Sequence, residues 1–175
     1  MSNVFSYQVM KDTTEHTVIK LTGLFDGVSG DESNTARIQA NSLYGALDSS
    51  RANLLSSSAN TGALPYYNLL LSRVWYDTPA SNSDVELYWT ADIPKTIFHL
   101  NGNGEYGSSG NWITIPNSTK GTANSTGDIG ITTRGMGVNS SYTIIIELRK
   151  DNYDYQRGQF NEPAAFNYQP YDITP

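Results

Sequence analysis

Cysteine is absent from all 175 residues, which removes disulfides, thiolate metal sites, iron–sulfur clusters and cysteine nucleophiles from consideration. Histidine is nearly absent: His16 and His99 are the only two, too few for a three-histidine metal centre. Charge is scarce as well, at 16% of residues against roughly 25% in an average domain. Ser, Thr, Asn, Gly and Tyr take its place. Basic side chains are the scarcer sign, 11 against 17 acidic ones for a net charge of -6, so neither nucleic-acid phosphate nor an anionic membrane surface is an expected partner. No stretch reaches the ~18 apolar residues of a spanning helix. Met1 to Met10 has neither the basic start nor the apolar run of a signal peptide, so the expectation is a chain made in the cytoplasm and not processed. Without such a signal, the N-x-[ST] triplets at Asn117, Asn124 and Asn139 read as turn sequence rather than glycan acceptors.

What the chain does have is two-residue periodicity. Phe5, Tyr7 and Val9 alternate with polar neighbours, Lys11 to Glu15 is polar, and Thr17, Ile19 and Leu21 alternate again, the pattern of a hairpin. Gly23 to Asn34 has no period and reads as a loop. Thr35 to Leu47 fits a strand followed by a turn, and Ser49 to Pro65 a long surface excursion. Leu69 to Tyr76 is apolar on both faces at its start, as in a strand inside a sheet. Val85, Leu87 and Trp89 alternate with Glu86, Tyr88 and Thr90. Lys95 to Leu100 follows, then a turn from Asn101 to Gly104, a short strand from Trp112 to Ile115, a loop from Asn117 to Gly127, and strands at Ile129 to Thr133 and Tyr142 to Arg149. In the last of these Tyr142, Ile144, Ile146 and Leu148 share one face. This is an all-β pattern of eight or nine antiparallel strands, a sandwich or barrel, with no crossover helices for a parallel sheet and no fixed repeat.

The character changes after Lys150. Residues 1–150 read as one β-sandwich domain, and 151–175 as an extended aromatic and proline-rich C-terminal arm. Tyr153, Tyr155, Phe160, Phe166, Tyr168 and Tyr171 punctuate it, too aromatic for disorder composition and too proline-interrupted for a strand. Such an arm lays its rings on another surface, its own domain's or a neighbour's. These six residues are the candidates for inter-subunit contact, and removing everything after Lys150 is expected to leave the sandwich folded.

Chemistry-bearing constellations are thin. No G-x-S-x-G elbow marks a nucleophile for His16 or His99 to serve. Asp26, Asp31 and Glu32 bring carboxylates and glycines into one loop, the oxygen chemistry calcium needs, but without the ligand spacing of a known calcium motif; an acidic solvated loop is the simpler expectation. The glycine-rich segments 102–110 and 127–137 lack a P-loop lysine and read as β-turns. Trp75, Trp89 and Trp112 would make a sugar-stacking platform if exposed, but each lies at a strand position where burial is the default. No catalytic residue, cofactor or metal ligand is assigned, and no enzymatic activity is expected.

The strand sequences T-V-I-K-L-T-G (Thr17 to Gly23), L-S-R-V-W-Y-D (Leu71 to Asp77), V-E-L-Y-W-T-A (Val85 to Ala91), T-G-D-I-G-I-T-T (Thr126 to Thr133) and Y-T-I-I-I-E-L-R-K (Tyr142 to Lys150) resemble small virion structural proteins of tailed marine and cyanobacterial bacteriophages. The resemblance spans most of residues 5–150. It implies a jelly-roll-like antiparallel β-sandwich, made in the host cytoplasm and carried on the outer head surface of the virion as a capsid decoration or cement protein. Its implied partners are the major capsid protein and further copies of itself, with trimers favoured. A carbohydrate- or receptor-binding module and a low-copy neck or tail component are the alternatives.

Overall fold

A computed structural model describes residues 2–52, 54, 62–79, 82–107 and 114–156. Among them ten strands follow in order: β1 (Val4–Asp12), β2 (His16–Leu24), β3 (Thr35–Ile38), β4 (Leu69–Asp77), β5 (Asp84–Trp89), β6 (Lys95–Leu100), β7 (Asn103–Tyr106), β8 (Ile115–Pro116), β9 (Ile129–Arg134) and β10 (Ser141–Lys150). A 3-10 turn at Ala40–Ser42 is the one helical element among the described residues. The strands form two antiparallel sheets, one ordered β1-β2-β10-β4-β7 with β8 also on β4, the other β3-β9-β5-β6. The all-β sandwich expected from periodicity is the observed fold.

The pairing is nested. β2 pairs with β10, β3 with β9, β4 with β7 and β8, and β5 with β6. The chain thus runs out through β2 to β5 and returns beside itself, and the cross-pairs β10·β4 and β9·β5 complete the sheets.

Alternation builds the core. In β10, Tyr142, Ile144, Ile146 and Leu148 are buried while Thr143, Ile145 and Glu147 look outward. Opposite residues in antiparallel strands share a face, so the register Ile144↔Leu21 and Ile146↔Ile19 places the buried side chains of β2 on the same layer. The second sheet answers with Ile38, Val85, Leu87, Trp89, Ile129 and Ile131, all in one continuous core.

Two sequence expectations need correction here. Asn101 to Gly104 is not wholly a turn, because the chain turns at Asn101–Gly102 and then forms β7, a strand with one inward apolar residue, Tyr106. Its position is fixed by Gly104, whose missing Cβ would lie 2.5 Å from the Tyr76 hydroxyl across the ladder. Second, the packed domain does not stop at Lys150: Tyr155 is 1% exposed and belongs to the core. Of the strand expected from Trp112 to Ile115 only Ile115 falls in β8, with 112 and 113 outside the described residues, as are residues 53 and 55–61 of the Ser/Asn excursion.

Candidate interaction surface

The sandwich closes at one end around the buried ammonium of Lys150. Lys150 Nζ donates to Asp12 Oδ1, to the Thr13 carbonyl at 2.6 Å and to the Tyr44 carbonyl at 2.7 Å. All three of its protons are thereby used, and it lies 5.2 Å from the centre of the Tyr155 ring. Burial pulls its pKa below the usual lysine value, with Asp12 opposing the shift.

The chain beyond Lys150 is stitched to the same end. The Leu47 amide donates to the Asp154 carbonyl at 3.0 Å and the Gln156 amide to the Gly45 carbonyl at 2.6 Å. Asn68 donates from its amide to Asp154 Oδ2 and from its side chain to Asp151 Oδ2. Tyr155 packs on Tyr67 with ring centres 5.5 Å apart, and its hydroxyl donates to the Ala40 carbonyl. Of the six contact candidates, then, Tyr155 is spent inside its own domain, whereas Tyr153 stands 79% exposed. Phe160, Phe166, Tyr168 and Tyr171 lie outside the described residues. Sequence alone did not separate Tyr153 from Tyr155, since both sit at alternate positions in a polar context.

The acidic loop is solvated at Asp26 and Asp31, as expected, but each carboxylate is anchored, and Glu32 is buried. Asp26 accepts the amides of Ser29 and Val28, which hold its pKa at about 2. Asp31 accepts the amides of Gly135 and Met136. Glu32 is buried: it accepts Arg37 Nε at 2.7 Å and the Tyr142 hydroxyl at 2.7 Å. The three carboxylates serve three separate anchoring tasks, and among the described residues no set of three acidic or histidine side chains is gathered for a metal ion.

The histidines are apart. His16 begins β2 with Nδ1 3.8 Å from Glu147. His99 meets Asp84 Oδ2 at 2.9 Å on the outside of the second sheet, where Arg134 also bridges Asp84 and Glu86. The triplet asparagines behave as turn residues: Asn124 and Asn139 have φ of 54° and 60°, and Asn117 Oδ1 accepts from the Thr119 amide and hydroxyl. Gly102 and Gly135, from the two glycine-rich segments, likewise sit in turns.

The tryptophans divide. Trp89 is a core residue, and Trp112 lies outside the described residues. Trp75 does not follow the burial default. The register Trp75↔Ile145 and Trp75↔Glu105 places it on the outward face of its sheet, half-buried, with the Arg73 guanidinium 4.2 Å over its ring. It lines a shallow hollow of about 530 Å³ with Ile145, Thr143, Asp77, Asn103 and Glu105. An aromatic floor with a polar rim can stack a flat apolar face and hydrogen-bond its edges.

Apolar exposure concentrates elsewhere, on the first hairpin. Val4, Tyr7, Val9 and Met10 of β1 and Leu24 of β2 are all between 43% and 60% exposed. Compared with family models, curated proteins and solved structures, the chain matches none.

Proposed function

We propose that this protein is a virion structural component of a tailed bacteriophage, a cement protein that binds the outside of the head and bridges subunits of the major capsid protein. The observation that carries this reading is the nested strand pairing. Pairing outermost with outermost and innermost with innermost is the winding of a jelly roll, an architecture that recurs in viral capsid and lectin domains. The strand sequences that resemble phage virion proteins fall on β2, β4, β5, β9 and β10, the strands that build this winding. Fold alone does not set function, and the reading takes further support from the acidic net charge, which suits the outside of a shell better than packaged DNA.

The mechanism is mass action. A protein that binds the assembled, expanded shell and not its precursors stabilises that state, and many copies multiply the effect. Copies clustered symmetrically straddle several capsid subunits at once. Tyr153 and the aromatic residues Phe160, Phe166, Tyr168 and Tyr171 are the contacts proposed to bridge them. The test is the copy number per purified virion by quantitative mass spectrometry. Hundreds of copies in fixed ratio to the major capsid protein support a head role; a few to a few tens point to the neck or tail, and absence overturns the virion reading.

One observation favours a second reading. The outward Trp75 over its hollow is the arrangement a carbohydrate-binding sandwich uses to stack a sugar ring, with Asp77, Asn103 and Glu105 at the rim for hydroxyl groups. Glycan binding that disappears in Trp75→Ala, with the fold intact, would establish it.

A further inference from the structure

The first sheet is wider than the second, and β1 is the strand left over. Across the ladder from Tyr7 and Val9 stand Leu21 and Ile19, which are 1% and 0% exposed, whereas Tyr7 and Val9 are 43% and 45% exposed on the same face. The second sheet covers β2 and stops short of β1. Only Phe5 on that face is sheltered, by Phe25 with ring centres 5.6 Å apart and by Arg37 4.2 Å above its ring. Among the described residues β1 pairs with β2 alone, so its other edge carries a row of unpaired backbone donors and acceptors.

Natural sheets blunt such an edge with charge, proline or short length. β1 does none of these over Val4 to Val9, a run of six uncharged residues without proline or glycine. Its bulge and its first charge come only beyond Val9. An edge of this kind is stable in a soluble protein when something pairs with it.

We propose that β1 is the contact between two copies of this chain, paired antiparallel edge to edge about a twofold axis at Tyr7. The choice of occupant rests on the sequence of the strand, which is self-complementary about that residue. Tyr7 meets its own copy, Ser6 meets Gln8 and Phe5 meets Val9, so polar faces polar and apolar faces apolar on both sides of the ribbon. The paired register runs from Phe5 to Val9, ahead of the bulge, and holds no charged residue, so no like charges are brought together. An isologous contact demands this self-complementarity, whereas a strand contributed by a different protein would not require it. The pairing extends the sheet across both copies and sets the uncovered Tyr7 and Val9 side chains of each chain beside those of the other. It holds wherever the protein acts and does not depend on the head role.

The lack of native cysteine makes the register testable with a single thiol. Residues directly opposite in an antiparallel pair have Cα atoms about 4.5–5.5 Å apart, inside the roughly 4.4–6.8 Å range of disulfides. Tyr7→Cys in the full-length chain is expected to give a covalent dimer on mild oxidation, while Val4→Cys, placed far from its own copy in this register, stays monomeric. Native mass spectrometry of the unmodified chain should show a dimer whose dissociation constant rises at least tenfold in Tyr7→Lys, where two ammonium groups face each other. A monomer at all concentrations, or equal cross-linking of the two thiol variants, overturns the proposal. So does a dominant link within one chain in Tyr7→Cys/Phe166→Cys, which would make the chain's own C-terminal segment the occupant of the edge.

Discussion

Lys150 shows what a buried charge costs when its partners are lost. Its ammonium is fully enclosed, with Asp12 as counter-ion and two carbonyls completing its hydrogen bonds. Removing one member of such a group leaves the others desolvated and unpaired, a loss of about 3–5 kcal/mol. Lys150→Met is therefore expected to lower the free energy of unfolding by roughly that amount in urea titrations, with an unchanged denaturant slope. The tyrosines give a second, independent handle. Burial pushes Tyr66 and Tyr88 up to about 12 and raises Tyr67, Tyr142 and Tyr155 as well, with the Glu32 carboxylate adding to the shift of Tyr142. Above the ordinary tyrosine pKa of about 10 the unfolded chain ionises these groups and the folded chain does not, so the folded state binds more protons and stability falls as pH rises. Lys150, with its lowered pKa, acts in the opposite sense just below its ordinary value. It is one group against these five and Tyr7, which burial also raises, so alkaline unfolding is the expected outcome between about pH 10 and 12. Phenolate absorbance of the buried set should appear together with the loss of near-ultraviolet circular dichroism rather than before it.

At the scale of elements, the described stretch after β10, through Gln156, belongs to the sandwich. Cutting the chain after Lys150 removes Tyr155 from the core together with the Asp154 contacts to Leu47 and Asn68. Truncating a buried large aromatic to alanine typically costs about 3–5 kcal/mol, so this deletion should lower the melting temperature sharply. A cut after Gln156 keeps Tyr155 and every described contact of this stretch, so shell binding by that shorter chain tests the residues beyond it apart from the loss of Tyr155; unchanged binding would remove them from the proposed bridge. The place of Tyr155 in the core was not visible in the sequence, because Tyr153 and Tyr155 carry the same local signal and only the distant partners Ala40, Ala46 and Tyr67 decide which is covered. Strands with strong alternation, such as β2, β5 and β10, were readable residue by residue. β7 was not, since Asn-Gly-Glu-Tyr has no alternating apolar pair and forms a strand only because β4 offers a free edge. The burial of Glu32 was likewise hidden, for its partners Arg37 and Tyr142 come from different parts of the chain. Trp75 was misplaced by a general preference for burial that its own register overrules.

For the molecule as a whole, the nesting ties distant parts of the chain together. β10 lies between β2 and β4, so the first sheet cannot form its middle until β10 has been made, and pairings such as Thr17↔Leu148 join residues 131 positions apart. Folds dominated by such distant pairings pay loop-closure entropy before any contact repays it, and they fold slowly, in about milliseconds to seconds. The same arrangement dictates how the native state opens. Amides in β2, β10 and β4 have no route to solvent except loss of the central sheet, so their hydrogen exchange should report the global free energy of unfolding. β1 is different over its middle, Ser6 to Val9, which rests on one neighbour and has an uncovered face, so it can open while Phe5 stays on Phe25 and Asp12 stays on Lys150. In a monomer its amides should exchange by local opening, orders of magnitude faster than those of β10. If two copies pair through this edge, that difference shrinks as protein concentration rises, since each added increment of dimer closes both β1 strands at once. Exchange measured across a concentration series therefore separates the two states. Protection of β1 that climbs with concentration while β2 and β10 stay constant is the expected pattern, and β1 protection independent of concentration would mean that no second copy lies on that edge.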